Sequence, residues 1–207
     1  MNLPNKLTML RILLVPVMII LFYIPWLSEN YLFSYTIGSS LKVHGLTWLY
    51  FIELLLFIIA SITDFLDGHI ARSRNLVTSF GKFADPLADK ILVFASMALL
   101  MLGPVRGLLP DGPLVPLWVY VVMLIREFAV SGVRMVAAKE GVAIAAGKTG
   151  KLKTLVTMIA IIVLFLSGLH DAVIYTGQVL IYIACLLTII SGIEYIVKGR
   201  QYILESI

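Results

Sequence analysis

Cysteine and charged residues are both scarce in this chain of 207 residues. The one cysteine, Cys185, lies in an apolar run, so a disulfide within the chain and a cysteine metal site are both excluded. Charged residues make up only 14% of the sequence, whereas an ordinary soluble domain has about 25%. Lys and Arg form no dense run, which argues against a nucleic-acid-binding protein. These absences leave a membrane protein as the expected class.

Apolar residues, in contrast, make up 60% of the sequence and occur in long runs. The runs predict six transmembrane helices, and the polar residues 1–11 before the first run predict a short N-terminal interfacial helix. We therefore expect an all-α integral membrane protein with residues 1–207 in a single domain. The predicted spans are 12–26, 46–62, 82–102, 114–136, 155–166 and 172–197, with loops at 27–44, 73–79, 103–113 and 137–153.

Basic residues are distributed unevenly between the two sides of this predicted topology. Ten of them lie at the termini, in the 73–79 turn and its flank, or around the 137–153 connection, whereas the opposite loops hold only Lys42 and Arg106. The positive-inside rule then predicts that the side with the ten basic residues is cytoplasmic.

Four aspartates stand in two pairs within this otherwise apolar sequence. Asp64 and Asp67 are three residues apart and share a helix face, as do Asp85 and Asp89, which are four apart. A carboxylate at membrane depth costs roughly 2.5–3.5 kcal/mol on insertion scales, so four of them need a cation, a partner or water. The pattern predicts two helix ends that face each other across a site for divalent metal ions.

Carboxylate oxygens without nearby His or Cys are the donors that Mg²⁺, Mn²⁺ or Ca²⁺ prefer, rather than zinc. Four carboxylates exceed what one Mg²⁺ usually takes from a protein, so we expect two ions about 3.5–4 Å apart. Such ions clamp phosphates, and a carboxylate at the edge of the cluster can take the proton of an incoming hydroxyl. Because the site lies at the membrane surface, one substrate should be a lipid phosphate or diphosphate and the other water-soluble.

The spacing of these residues resembles the signature of the CDP-alcohol phosphotransferase family. It reads Asp64-x-x-Asp67-Gly68-x-x-Ala71-Arg72, then eight residues, then Gly81-x-x-x-Asp85-x-x-x-Asp89, and all eight fixed positions are present. Three shorter segments, at 2–11, 125–128 and 150–154, are similar to those of the family members that act on glycerol 3-phosphate.

The resemblance implies a phosphatidyltransferase that moves the phosphatidyl group of CDP-diacylglycerol to the 1-hydroxyl of glycerol 3-phosphate and releases CMP. It implies two divalent cations, Mg²⁺ or Mn²⁺, bound by Asp64, Asp67 and Asp85, with Asp89 as a further ligand or as the catalytic base. It also implies a homodimer in the bacterial plasma membrane, with the active site at the cytoplasmic face.

Further residues are assigned to the two substrates. The resemblance implies that the CDP pocket is lined by small and basic residues of the signature, namely Gly68, Ala71 and Arg72, with Gly81 permitting close approach. Residues of the N-terminal segment are candidates to contact the nucleotide or its diphosphate: Asn5, Thr8 and Arg11. The acceptor phosphate needs cations, for which we propose Arg126, Arg134, Lys151, Lys148 and Lys153, although Arg126 could instead neutralise Glu127.

Alternatives inside and outside the family remain open. Another acceptor, such as inositol phosphate, serine or phosphatidylglycerol, could replace glycerol 3-phosphate. Membrane prenyltransferases also use aspartate pairs with Mg²⁺ on a diphosphate, but their acid motifs are denser and lie far apart. A cation transporter would hold its acids near mid-membrane in discontinuous helices, whereas these acids cluster at one predicted end.

Overall fold

The computed structural model describes residues 2–36, 43–73, 78–103, 112–139 and 147–205, and most of them are helical. In chain order the elements are α1 (Leu3–Phe22), α2 (Pro25–Glu29), β1 (Tyr31–Thr36), β2 (Val43–Thr47), α3 (Trp48–Ser73), α4 (Ser79–Leu102), α5 (Leu117–Lys139), α6 (Lys148–Phe165) and α7 (Asp171–Glu205).

Three stretches of helix are long and apolar enough to cross a membrane. They are Pro4–Phe22 in α1, Trp48–Gly68 in α3 and Asp171–Gly199 in α7. Helices α4, α5 and α6 contain 24, 23 and 18 residues, and each carries charged side chains toward one end. At 1.5 Å per residue, even the shortest of them is about 27 Å long, close to the thickness of the hydrocarbon core. The described chain is therefore mostly helical, with three candidate membrane spans.

The polar N-terminal segment and the first apolar run belong to one helix. Helix α1 continues from Leu3 to Phe22, and Pro4 occupies its first turn, where a missing N–H breaks no helical hydrogen bond. The separate interfacial helix predicted for residues 1–11 is therefore not an element of its own in the described chain. The polarity of this segment reflects what it contacts inside the protein, because Asn5, Thr8 and Arg11 are buried.

A small antiparallel sheet begins in the segment predicted to be a loop at 27–44 and ends at Thr47, just inside the predicted second span. Strand β1 pairs with β2 so that Tyr31 lies opposite Thr47 and Thr36 opposite Val43. Tyr, Phe and Thr favour strands, but β1 does not alternate cleanly between apolar and polar residues, so no period-2 pattern revealed it. The all-α prediction is wrong for this hairpin alone among the described elements.

Helix α6 begins well before the predicted start of its span at residue 155. It starts at Lys148 after Gly147, whose extended backbone provides the N-cap position without a side-chain hydrogen bond. Lys151 and Lys153 therefore lie on a helix rather than in the predicted 137–153 loop. The glycines and lysines of this segment resemble a loop in sequence, but packing against α7 overrides that local preference.

The helices pack as two groups that are joined through α3 and α6. Helix α1 packs on α3 and α4, while α5 and α6 pack on α7. Tyr50 and Phe57 of α3 pack against Phe165 of α6, with ring centroids 5.8 and 6.5 Å apart. In lipid, close packing of this kind holds helices together, because the bilayer is as apolar as the side chains. The packing brings the polar ends of α1, α3 and α4 to one place.

Candidate active site

The side chain of Arg11 lies at the centre of the four aspartates and is fully buried. Its Nη1 donates to Asp64 Oδ1 at 2.5 Å, and its Nη2 donates to Asp67 Oδ2 at 2.6 Å. Nη1 also donates to Asp89, and Nη2 lies 3.8 Å from Asp85 Oδ1. The carboxylates of α3 and α4 therefore face each other across a single guanidinium.

The four carboxylates differ in their access to solvent. Asp67 is 2% exposed, whereas Asp64, Asp85 and Asp89 are 39%, 40% and 47% exposed. Asp67 therefore depends on Arg11 for its charge pairing, because burying an unpaired carboxylate is strongly unfavourable. The other three keep oxygen atoms available to a ligand. Four carboxylates around one guanidinium also leave a local excess of negative charge, which attracts cations.

Residues of α1 and the start of α4 fix the second aspartate pair. Thr8 Oγ1 donates to Asp85 Oδ1 at 2.6 Å. Thr78 is the N-cap of α4: its Oγ1 accepts from the Gly81 N–H at 3.0 Å and donates to Asn5 Oδ1 at 3.0 Å. A Cβ on Gly81 would lie 3.3 Å from Asn5 Oδ1 and 3.6 Å from Asp85 Oδ2. A side chain at residue 81 would therefore press on the side chains of Asn5 and Thr78.

The structure brings most of the predicted CDP contacts to the aspartates. Thr8 and Arg11 hydrogen-bond to the aspartates directly, and Gly68 follows Asp67 in the chain. Gly81 lies beside Asp85, and Asn5 reaches the same region through its contacts with Thr78 and Gly81. Ala71 and Arg72 belong to α3, but their side chains lie outside the described part of the structure. The pairing of Arg11 with the acids was not predicted, since the residues of each pair are 53 or more positions apart in the chain.

A second set of charged side chains surrounds a cavity of about 580 Å³ between α4, α5, α6 and α7. The cavity reaches Asp89, so it is continuous with the aspartate cluster. Its basic lining residues are Lys90, Arg126, Arg134, Lys151, Lys153 and Lys198, and its acidic ones are Asp89, Glu127 and Glu194. The excess of basic over acidic side chains favours an anionic ligand.

Glu127 holds cations from three helices together in this cavity. Its Oε1 accepts from Arg126 Nη1 at 2.7 Å and from Lys153 Nζ, and its Oε2 lies 3.8 Å from Lys90 Nζ. Lys90 Nζ also donates to Ser131 Oγ at 2.5 Å, and the Ser131 hydroxyl donates to the Glu127 carbonyl oxygen at 2.6 Å. The carboxylate thereby offsets the repulsion between neighbouring positive charges.

Helix α7 forms the opposite wall of the cavity. Glu194 Oε2 accepts from Thr149 Oγ1 in the first turn of α6 at 2.7 Å. The Tyr195 hydroxyl accepts from Arg134 Nε at 3.1 Å, and the Arg134 guanidinium lies 5.2 Å from the centroid of the Tyr195 ring. These contacts fix α7 to both α5 and α6 around the basic residues.

Four of the five residues predicted to bind the acceptor phosphate line this cavity: Arg126, Arg134, Lys151 and Lys153. The side chain of the fifth, Lys148, is not part of the described structure. Lys90 and Lys198 were not predicted. Lys90 had a signal, because a charged residue directly after Asp89 in an apolar helix indicates a polar site. The sequence gives no such indication for Lys198, because the positive-inside rule also accounts for a lysine near the end of a span.

A helical membrane protein in which an acidic cluster opens into a basic cavity has the class of site expected for phosphate transfer with a lipid substrate. The particular family follows from comparison with known sequences. The family model described as CDP-alcohol phosphatidyltransferase matches residues 1–190. The chain belongs to the CDP-alcohol phosphatidyltransferase family, which confirms the resemblance seen in the aspartate signature.

Relatives that align with nearly all of this chain support this assignment. The chain is 38% identical to the CDP-diacylglycerol–glycerol-3-phosphate 3-phosphatidyltransferase of Bacillus subtilis (strain 168), over 99% of this chain and 98% of that protein. It is also 38% identical to the protein of the same name from Rickettsia typhi, over 97% and 98% of the two chains. The cardiolipin synthase (CMP-forming) of Oryza sativa is 34% identical, over 99% of this chain and 59% of that protein.

Proposed function

We propose that this protein transfers the phosphatidyl group of CDP-diacylglycerol to glycerol 3-phosphate, giving phosphatidylglycerophosphate and CMP. One observation carries the proposal: the aspartate cluster opens at Asp89 into a cavity lined by basic residues. This arrangement supports a proposed site for a diphosphate bridged by cations next to a proposed site for an acceptor that itself carries a phosphate. The names of the bacterial relatives supply the two substrates.

The proposed cofactors are two divalent cations, Mg²⁺ or Mn²⁺, with Asp64, Asp67, Asp85 and Asp89 as ligands. The donor chemistry fits, because all four residues offer hard carboxylate oxygens. In the described residues the carboxylates surround Arg11 rather than forming a closed ligand set, so Arg11 would give up acid partners to the cations. When bound, such cations neutralise the negative charge that develops on the departing CMP phosphate.

Residues of α1 are proposed to bind the nucleotide part of the lipid donor. A guanidinium that has given up carboxylate partners is well suited to a diphosphate, which it can bind through two parallel hydrogen bonds. Arg11 thus stays close to the proposed diphosphate position, and Asn5 and Thr8 lie on the same stretch of helix. The signature residues Gly68, Ala71, Arg72 and Gly81 complete the proposed CDP pocket.

Asp89 is the proposed general base. Its carboxylate belongs to the aspartate cluster and also lines the cavity, so it borders both proposed substrate positions. The acceptor hydroxyl gives its proton to Asp89 as its oxygen forms a bond to the phosphatidyl phosphorus, and the bond from that phosphorus to the CMP oxygen breaks. The negative charge of the broken bond leaves with CMP.

The acceptor phosphate is proposed to bind among the cavity cations Arg126, Arg134, Lys151 and Lys153, with Lys148 as a further candidate from the sequence. Arg126, Lys153 and Lys90 are already grouped around Glu127, so little reorganisation is needed to bind a phosphate. A volume of about 580 Å³ also suits a small molecule. The positive cavity favours a phosphate-bearing acceptor over serine, which has no net charge.

We further propose six membrane spans, formed by α1 and α3 to α7, with one domain per chain. The polar site residues lie toward the N-terminal ends of α1, α4 and α6 and toward the C-terminal ends of α3, α5 and α7. Alternation of this kind is what successive crossings require, and the positive-inside rule makes the site end cytoplasmic. A homodimer in a bacterial plasma membrane is proposed from the family resemblance.

An acceptor panel tests the proposed reaction. Purified protein in detergent receives CDP-diacylglycerol and Mg²⁺ with glycerol 3-phosphate, inositol phosphate, serine or phosphatidylglycerol, and CMP release is measured. We expect release with glycerol 3-phosphate, and none in EDTA. Release with phosphatidylglycerol alone would instead identify a cardiolipin-forming enzyme. No CMP release with any acceptor would reject the proposal, and a separate reaction with a prenyl diphosphate would then test for a prenyltransferase.

A further inference from the structure

Gly192 of α7 lies directly against the side chain of Arg126. A Cβ at position 192 would lie 2.8 Å from Arg126 Cγ, 3.4 Å from its Nε and 3.7 Å from its Cδ. Carbon atoms that are not bonded do not pack at 2.8 Å, so any side chain at residue 192 would displace the arginine. Helix α7 continues through Gly192, where glycine is less favourable than alanine. The close contact with Arg126, and not helix propensity, therefore explains the glycine at position 192.

Two hydrogen bonds hold the guanidinium of Arg126 on the same side. Nη1 donates to Glu127 Oε1 at 2.7 Å, and Nη2 donates to Ser191 Oγ at 2.8 Å. Ser191 directly precedes Gly192, so one turn of α7 provides both the hydrogen-bond acceptor and the space for the side chain. Arg126 Nε is buried and has no hydrogen-bond partner among the described residues.

We infer that Gly192 is a positioning residue for the acceptor phosphate, because its missing side chain lets Arg126 lie flat on α7 between Glu127 and Ser191 at the cavity wall. The inference rests on the proposed function, in which Arg126 binds that phosphate. Gly192 itself does not touch a substrate. It acts through the geometry of Arg126, and this separates its effect from that of a glycine that merely allows two helices to pack closely.

Alanine substitutions at three glycines separate these two effects. Gly192→Ala intrudes on Arg126, whereas Gly177→Ala on the same helix intrudes on Leu164 of α6, with its Cβ 2.6 Å from Leu164 Cδ2. Gly132→Ala on α5 meets nothing within 4 Å. Gly192→Ala thus displaces the Arg126 side chain, and Gly177→Ala disturbs the packing of α7 on α6. Gly132→Ala does neither.

The measurement is steady-state CMP release by the purified full-length protein, with glycerol 3-phosphate and CDP-diacylglycerol varied in turn. We expect Gly192→Ala to raise KM for glycerol 3-phosphate about tenfold, the effect of weakening one hydrogen bond to a charged group. KM for CDP-diacylglycerol should stay unchanged. Gly177→Ala should lower the thermal midpoint without this selective effect. Gly132→Ala should leave both KM values unchanged and raise the midpoint slightly, because alanine favours the helix and meets no neighbour.

A double-mutant cycle and a second variant make the test specific. In an Arg126→Ala background, Gly192→Ala should add nothing to KM, because the displaced atoms are gone. Ser191→Ala, which adds no atoms, should raise KM for glycerol 3-phosphate in the same direction. An active wild-type protein with an unchanged KM in Gly192→Ala, or a full effect in the Arg126→Ala background, would overturn the inference alone. A wild-type protein that releases no CMP with glycerol 3-phosphate would refute the proposed function and this inference together.

Discussion

At the scale of single residues, Arg11 is the contact on which both aspartate pairs depend. It is fully buried, and it hydrogen-bonds to Asp64, Asp67 and Asp89 from two different helices. Removing one partner of a buried ion pair leaves an uncompensated charge, which costs about 3–5 kcal/mol. The partly exposed aspartates lose less than the buried Asp67, because water solvates them.

We expect Arg11→Gln to lower the free energy of unfolding by about 3 kcal/mol when divalent cations are removed with EDTA. Adding Mg²⁺ should recover part of this loss, because the cation supplies the missing positive charge. Thermal unfolding of the detergent-purified protein measures both effects. Lys6→Gln, which removes an exposed cation from the same helix, is the control and should change little. Identical midpoints for Arg11→Gln and wild type in EDTA would contradict this role.

Some of these residue contacts could be predicted from the sequence, and others could not. The four aspartates could be predicted to form a site, because carboxylates in an apolar sequence need a reason and their spacing puts each pair on one helix face. The position of the Arg11 guanidinium between them could not be predicted, because Arg11 contacts Asp89 only when α1 packs on α4. The contact between Gly192 and Arg126 likewise depends on the packing of α5 against α7.

At the scale of elements, the start of α4 is the part that links helix formation to the site. Thr78 caps α4 and also donates to Asn5 of α1, so one hydroxyl fixes both the first turn and the neighbouring helix. Apolar runs were enough to predict the six long helices. They did not predict the short helix α2, the hairpin of β1 and β2 or the early start of α6, because tertiary contacts decide those boundaries.

We expect Thr78→Ala to destabilise the protein by about 1 kcal/mol, the usual loss when a helix N-cap is removed. Activity should fall as well, because the first turn of α4 carries Gly81 and leads to Asp85. Thermal unfolding and CMP release measure the two effects. Thr78→Ser keeps the hydroxyl and should behave like wild type; if Ser and Ala were equally harmful, the methyl group rather than the cap would matter.

In the molecule as a whole, the polar end is the N-terminal end of α1, α4 and α6 and the C-terminal end of α3, α5 and α7. These six polar ends therefore meet on one side. This arrangement separates the acidic and basic site residues from the end that carries α2 and the hairpin. Among the described residues, three helices satisfy the length and hydropathy expected of a span, and charged side chains of α4, α5 and α6 line the cavity. The molecule can therefore hold a charged site at the edge of an apolar body.

Cysteine labelling tests the proposed orientation. In a Cys185→Ala background, which removes the native thiol, we expect Glu29→Cys to react with a membrane-impermeant maleimide on intact cells of a bacterial host. Ser73→Cys, at the end of α3 that follows the aspartates, should react only after the cells are permeabilised. Both native residues are exposed, so burial does not limit the reaction. The opposite labelling pattern would mean that the aspartates face outward.

In the proposed reaction, the aspartate cluster transfers the phosphatidyl group to an acceptor held in the adjoining cavity. Comparing wild type with Asp89→Asn for CMP release from CDP-diacylglycerol, in the presence of glycerol 3-phosphate and Mg²⁺, tests this reaction. We expect the substitution to lower kcat by about 10²–10⁴-fold, the contribution of a general base, with folding intact by circular dichroism and with Glu29→Gln unaffected. A folded Asp89→Asn protein that releases CMP at the wild-type rate would contradict the claim.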